Sequence, residues 1–193
     1  MVSMAARECF AGAYGPSYLE IPRDILDREI DISRAVLPKP GHYRASVRNA
    51  GDPRDIEKLA DILVNSERPA ILFGQQVWAA RGDKEAVALL RGLDIPGYFN
   101  GAARGMLPPN DPHHLDRTRT LAFSKADVVV IIGTPFDFRM GYGKRINVPT
   151  LVQVDQDYRT VGKNRDVTLG IAGDPGAVCA AILAAAKIGR AHV

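Results

Sequence analysis

The sequence predicts an α/β fold: a doubly wound parallel sheet of about six strands with helices on both faces. Short, continuous apolar runs that end in glycine or a polar residue indicate strands buried on both faces, as in parallel sheets. These runs alternate with segments whose apolar residues recur every three or four positions, which indicates helices with one buried face. A chain of 193 residues can build one main domain with a sizeable core.

The regular pattern begins at Asp52. This residue is a good helix N-cap and Pro53 suits the first helical position, so a helix is predicted up to Asn65. The later apolar runs and amphipathic stretches predict, in order, a strand over 70–74, a helix over 86–93, a strand over 95–99, a helix over 117–125, strands over 127–133, 150–155 and 167–171, and a closing helix capped by Asp174.

The first fifty residues have a different character. Residues 18–21 are predicted to form one short strand after a helix-like segment, and such a pair cannot bury both of its faces alone. The segment that follows contains Pro, Gly, Ser and Arg and shows neither a helical nor a strand period, which indicates a linker. The predicted organisation is therefore a piece of another domain over 1–37, a linker over 38–51, a main domain over 52–187 and a tail over 188–193.

The bulk composition excludes several classes of function. The formal charge of +3 comes from 25 basic and 22 acidic residues without a block of like charge, which argues against a nucleic-acid partner. The two cysteines, Cys9 and Cys179, have no disulfide or zinc-ligand spacing. With no apolar run long enough to cross a membrane and no export signal, we expect a cytoplasmic protein without a membrane partner. His113 and His114 have no ligand-spaced partners, so neither a metal site nor a catalytic residue is predicted.

Candidate binding residues follow from the architecture. In open parallel sheets, ligands bind in the crevice outside the carboxyl ends of the strands, so the residues directly after each apolar run are the candidates. They are mostly glycines, amides and acids, with one arginine. The set is Gly74, Gln75, Gln76, Asn100, Gly101, Gly133, Thr134, Phe136, Asp137, Arg139, Asp155, Gln156, Gly173 and Asp174.

Each type of residue in this set fits a nucleotide and also has a plainer interpretation. Gly74 and Gly133 would let a ligand approach the backbone, or they only permit tight turns. Asp155 could accept hydrogen bonds from ribose hydroxyls, or it forms a local turn. Arg139 could pair with a phosphate, or it is held by a structural partner. Because no complete dinucleotide fingerprint or P-loop is present, the nucleotide prediction depends on the whole set.

Three segments resemble one family, the thiamine-diphosphate (ThDP) dependent enzymes of the acetolactate synthase type. Residues 15–24, GPSYLEIPRD, resemble the motif that ends their N-terminal pyrimidine-binding domain. Residues 125–139, KADVVVIIGTPFDFR, resemble their central-domain signature. Residues 154–157, VDQD, followed by 161–165, VGKNR, are similar to a third stretch of that domain. The motifs occur in the family's order.

The resemblance implies a central domain that holds FAD, the ADP part of a coenzyme A-type ligand, or nothing. By position, that site would be lined by Gly74, Gln75, Asp137, Arg139, Asp155 and Asp174. It also implies that residues 1–37 are the end of the pyrimidine-binding domain and that the chain is a fragment of a longer enzyme. The cofactor-activating glutamate would lie upstream, so Glu20 is not that acid, and the motif that holds Mg²⁺ and the ThDP diphosphate would lie downstream.

One departure from the family bears on the choice of ligand. Residues 114–120, HLDRTRT, stand where true acetolactate synthases carry a Met-His-Gly segment that approaches the flavin. This version is closer to the acetolactate synthase-like and 2-hydroxyacyl-CoA lyase branch, whose parent reaction forms or cleaves a bond next to a carbonyl. The resemblance implies a homodimeric or homotetrameric parent. A free-standing nucleotide-binding module and a structural domain with a vestigial crevice remain alternatives.

Overall fold

The computed structural model describes residues 1–115 and 117–191 and contains two compact units, Met1–Val47 and Arg48–Val193. In the first unit, helices α1 (Val2–Glu8) and α2 (Arg23–Leu26) contain no buried residue. The strand predicted over 18–21 is wrong, because this segment belongs to no β-ladder and Tyr18 is 86% exposed. An extended segment becomes a strand only when a neighbour accepts its hydrogen bonds.

The second unit follows the predicted alternation of helices and strands. Its helices are α3 (Pro53–Val64), α4 (Gln75–Ala79), α5 (Asp83–Leu93), α6 (Arg119–Lys125) and α7 (Pro175–Ala191). Its strands are β1 (Pro69–Phe73), β2 (Gly97–Phe99), β3 (Val128–Ile132), β4 (Thr150–Asp155) and β5 (Leu169–Ala172).

One helix cap agrees with the sequence prediction, whereas one further helix and one boundary differ from it. Asp52 caps α3 as expected, with its side chain accepting from the Arg54 N–H at 2.9 Å. Helix α4 was not predicted, because a single turn after β1 is too short to show a period. The predicted tail over 188–193 is helical as far as Ala191, because α7 continues past residue 187; residues 192–193 lie outside the described part.

All strands of the sheet are parallel, in the order β2-β1-β3-β4-β5. The sheet of the described chain has five strands, where the sequence prediction gave about six. The chain leaves β1 toward β2 in one direction and later continues from β3 in the other. This reversal between β1 and β3 is the point where open α/β sheets bind their ligands.

The two faces of the sheet are covered differently. The helical face carries α3, α5 and α7, which bury one side of the strands, including Ile71, Val130 and Val152. In the described part of the chain, the loop face carries α6 and the largely irregular segment 135–149, which cover Leu72, Ile131 and their neighbours. Both layers are apolar, so the sheet is buried on both sides, as its continuous apolar strands predict.

Candidate functional site

Two glycines meet where the strand order reverses. The Gly74 N–H, after β1, donates to the Ile132 carbonyl at 2.8 Å, and the Gln76 N–H donates to the Gly133 carbonyl at 3.1 Å. A Cβ at Gly74 would overlap the Gly133 carbonyl and the Thr134 side chain. Gly133 itself has φ +73°, in the region that favours glycine. The backbone packing alone therefore requires glycine at both positions.

Beside these glycines, at the ends of β4 and β5, lies a hydrogen-bonded cluster of polar residues that we call the Asp155 crevice, formed by Gln76, Asp155, Gln156 and Asp174. Asp155 is fully buried, and its Oδ1 accepts from Gln76 Nε2 and from the Asp157 N–H, both at 2.9 Å. The Gln156 N–H donates to Gln76 Oε1 at 3.1 Å. These bonds hold the Asp155 carboxylate in one orientation.

Two oxygens of the Asp155 crevice are buried acceptors without a donor. Among the described residues, neither Asp155 Oδ2 nor Gln156 Oε1 has a hydrogen-bond partner. Leaving a buried acceptor unsatisfied costs about 1–3 kcal/mol, and more when it is charged. Such atoms are consistent with a ligand that brings hydroxyl or amino donors, since both oxygens would then be satisfied.

Asp174 has a structural role at the edge of the crevice. Its Oδ1 accepts from the Ala177 N–H at 3.0 Å, which caps α7, and from Arg48 Nε at 2.8 Å. Arg48 also donates to Glu85 at 3.2 Å, so it joins the ends of α5 and α7. Gly173 packs closely too, because a Cβ there would lie 3.0 Å from the Asn49 carbonyl oxygen. The predicted linker over 38–51 thus ends inside the second unit.

The candidates after β3 are already engaged by other parts of the protein. Phe136 is 1% exposed and belongs to the loop-face core, and Thr134 is 4% exposed. Arg139 donates to Asp137 through Nε at 2.9 Å, and this bond holds the pKa of Asp137 below its ordinary value. The guanidinium of Arg139 is therefore paired within its own loop.

The candidates after β1 and β2 form a separate group. The Asn100 amide lies 3.5 Å from the Met140 sulfur, which joins the end of β2 to the segment after β3. Gly101 has φ +57°, and a Cβ there would lie 3.5 Å from Gln75 Cβ. Gln75 is exposed. The fold thus brings Gln76, Asp155, Gln156 and Asp174 together, whereas Phe136 is a core residue on the loop face.

The sequence prediction missed a set of arginines on the loop face. Two neighbouring cavities lie there, one of about 310 Å³ near the end of β2 and one of about 280 Å³ beside the segment after β3. We call the pair the arginine groove; its basic residues are Arg104, Arg117, Arg119, Arg139 and Arg145. These arginines are spread over about forty positions of the sequence and come together only in the folded chain. No local sequence motif therefore predicts them.

Within residues 1–115 and 117–191, no group of three or more histidines, cysteines or acids is placed to hold a metal ion. No helix of that part of the chain combines the length and the apolar character that crossing a membrane requires.

Comparison with known proteins identifies relatives of the whole site-bearing unit. Residues 56–182 match the family model of the thiamine pyrophosphate enzyme central domain. The chain is 30% identical over 187 residues to a probable acetolactate synthase large subunit of Methanocaldococcus jannaschii, covering 90% of this chain and 31% of that relative. It is 34% identical over 186 residues to the acetolactate synthase large subunit IlvG of Mycobacterium tuberculosis, covering 94% of this chain and 33% of that relative.

A second group of relatives carries a different name. The chain is 31% identical over 150 residues to 2-hydroxyacyl-CoA lyase 2 of Danio rerio, covering 75% of this chain and 23% of that relative. It therefore spans about a third or less of the length of these curated relatives. The match extends over most of the parallel sheet, its helices and the Asp155 crevice, and on this evidence the chain belongs to the family of thiamine pyrophosphate enzyme central domains.

Proposed function

We propose that this chain is the central domain of a ThDP-dependent, acetolactate synthase-like enzyme, joined to the end of that enzyme's pyrimidine-binding domain. The Asp155 crevice holds an adenine nucleotide, either FAD or the ADP part of a coenzyme A-type ligand. The parent enzyme forms or cleaves a bond next to a carbonyl. The domain supplies ligand binding and is not catalytic alone.

One observation carries the nucleotide assignment. Asp155 Oδ2 is buried and has no donor within the described residues, while Oδ1 is fixed by Gln76 and Asp157. The carboxylate stands at the end of β4, beside the reversal of the strand order. A ribose brings two neighbouring hydroxyls, which suits one carboxylate oxygen and the adjacent Gln156 amide oxygen.

The chain's own residues account for ligand binding rather than for carbon–carbon chemistry. ThDP would supply a stabilised carbanion in the parent enzyme, with Mg²⁺ holding its diphosphate. Among the described residues, no group of three or more histidines, cysteines or acids is placed to hold that metal. In this proposal Asp155 orients the ligand, and the parent's other domains contribute the reacting groups.

Thermal unfolding with FAD, ADP and coenzyme A in separate samples tests the proposal. A ligand that binds only the folded chain raises the unfolding temperature by mass action. A rise with FAD would assign the parent to the flavin-binding type, and a rise with ADP or coenzyme A alone would assign it to the lyase type. A cooperative unfolding transition that none of the three ligands shifts would contradict the nucleotide assignment.

The variant Asp155→Asn tests the site itself. Asparagine keeps an oxygen for Gln76 and the Asp157 N–H, but it places an amide donor where Oδ2 stands and removes the charge. We expect about tenfold weaker nucleotide binding, because hydrogen bonds to a charged acceptor are roughly twice as strong as neutral ones. Asp157→Asn is the matched control, since Asp157 is paired with Arg159 at 2.8 Å and lies outside the proposed contact. Equal losses in both variants would argue against Asp155.

A further inference from the structure

The arginine groove gathers five arginines, of which four have no acidic partner among the described residues. Among residues 1–115 and 117–191, no side-chain hydrogen bond or ion pair engages Arg104, Arg117, Arg119 or Arg145, whereas Arg139 is paired with Asp137. None of the described residues that line the two cavities is acidic. Like charges gathered in one groove repel each other, so the groove is most stable when an anion occupies it.

The two cavities share two of their lining residues. Arg119 and Thr120 line both of them and stand at the start of α6. Arg104 and Arg117 approach from the β2 side, and Arg145 approaches from the segment after β3. An anion bound at Arg119 therefore has further guanidinium groups on both sides.

The chemistry of the lining selects phosphate among anions. Guanidinium groups present planar pairs of N–H donors that match phosphate oxygens. Thr120, whose hydroxyl is a hydrogen-bond donor, lines both cavities, and Phe138, which is 72% exposed, adds an apolar side chain to the cavity that Arg145 lines. An uncharged flavin ring would leave the four unpaired arginines without counterions, so this part of the site suits a charged group better.

We propose that the arginine groove is a binding site for the phosphate groups of a small-molecule ligand, with Arg119 as its central contact. This proposal rests on the proposed function and extends it, because it assigns a phosphate-binding region separate from the Asp155 crevice. The main phosphate contact is then Arg119 rather than Arg139. The groove recognises diphosphate whether it is free or part of a nucleotide.

Calorimetric titration of the chain with inorganic diphosphate tests this assignment. The unmodified protein should bind diphosphate in a saturable way, with affinity that falls as salt rises. Arg119→Gln should weaken binding about tenfold, because it removes a charge-assisted contact shared by both cavities. Arg145→Gln should weaken it less, since Arg145 lines only one cavity and is exposed, so its loss does not endanger folding.

A control with the same change of charge separates the groove from general electrostatics. Lys58→Gln removes one positive charge from the exposed side of α3, which covers the helical face. Its diphosphate affinity should equal that of the unmodified protein. Equal weakening in all three variants, or no saturable binding by the unmodified protein, would overturn the proposal.

Measuring diphosphate and nucleotide binding in variants of both sites distinguishes a failure of this proposal from a failure of the proposed function. Asp155→Asn should leave diphosphate affinity unchanged and weaken only nucleotides. Binding of diphosphate without any binding of FAD, ADP or coenzyme A would support the groove and contradict the nucleotide assignment. Binding of nucleotides with equal affinity by Arg119→Gln and the unmodified protein would support the crevice and contradict the groove.

Discussion

The two faces of the sheet differ in how they are covered and in what their covering segments contain. Three helices of 11 to 17 residues pack on the helical face. The loop face is covered by a 7-residue helix and by a segment in which Gly141 and Tyr142 both have positive φ. The arginine groove lies on this second face. Regular packing thus supplies stability on one side, and irregular backbone presents charged side chains on the other.

The largest expected effect comes from the core of the helical face. Leu89 of α5 is completely buried, so Leu89→Ala should lower the free energy of unfolding by about 3 kcal/mol, within the roughly 2–5 kcal/mol typical of such cavities. Leu121→Ala, on α6 of the loop face, removes a side chain that is 58% exposed and should change the free energy of unfolding by less than about 0.5 kcal/mol. Urea denaturation measures both. Similar losses of unfolding free energy in the two variants would contradict the view that the helical face supplies more of the stability than the loop face.

Close packing at the reversal of the strand order predicts the next largest effect. Gly74→Ala places a methyl group against the Gly133 carbonyl and Thr134, and should cost about 1–3 kcal/mol because the backbone there cannot retreat. Gly162→Ala is the comparison: Gly162 has φ +72° but nothing within 4 Å of the added Cβ, so it should lose only about 1 kcal/mol of backbone strain. If Gly162→Ala proved the more harmful, close packing would not be the reason for glycine at 74.

Acid should weaken the segment that leads from the helical face to the loop face. Hydrogen bonds from Arg91 of α5 and from the His113 N–H lower the pKa of Asp111 from 3.8 to about 2. A carboxylate with a lowered folded-state pKa stabilises the fold above its unfolded pKa. That contribution disappears as the pH falls from about 5 to 2. The unfolding temperature of Asp111→Asn should therefore fall less over this interval than that of the unmodified protein.

The acid effect has a simple control. Asp61 is exposed on α3, and its side chain makes no hydrogen bond or ion pair with the described residues. Asp61→Asn should keep the full loss of stability between pH 5 and pH 2. An unchanged acid response in Asp111→Asn would show that other carboxylates dominate.

The smallest expected effect concerns Phe138, at the end of the arginine groove. Because this side chain is 72% exposed, Phe138→Ala should change the free energy of unfolding by less than about 0.5 kcal/mol. Urea denaturation measures the change. A loss above about 1 kcal/mol would mean that the loop face depends on this ring for its packing.

The regular parts of the fold were predictable because they follow simple periods. Helix α3 begins after Asp52 as predicted, and the strand predicted over 150–155 is β4 without a shift of either end. The strand predicted over 167–171 begins two residues late, at Leu169, since Val167 precedes the ladder with β4. Periodicity predicts that a helix or strand is present, whereas the hydrogen bonds determine at which residue it begins and ends.

The candidate site was predictable only in part. The position of Asp155 follows from the rule that ligands bind at the carboxyl ends of parallel strands. The pairing of Arg139 with Asp137 was one of two open interpretations. The sequence alone does not show whether an arginine pairs with a ligand phosphate or with an acid two residues away. The arginine groove depends on contacts between distant segments, so only the folded chain brings Arg104 and Arg145 into it.

The two cysteines give each unit its own chemical probe. Cys9 is partly exposed in the first unit, whereas Cys179 is completely buried in α7 of the second, and burial raises the pKa of its thiol. A thiol that is both covered and protonated is slow to react. Alkylation of the native chain should therefore mark Cys9 first, and modification of Cys179 would report the opening of the second unit. The rate of that modification would then report how often the second unit opens, without any engineered label.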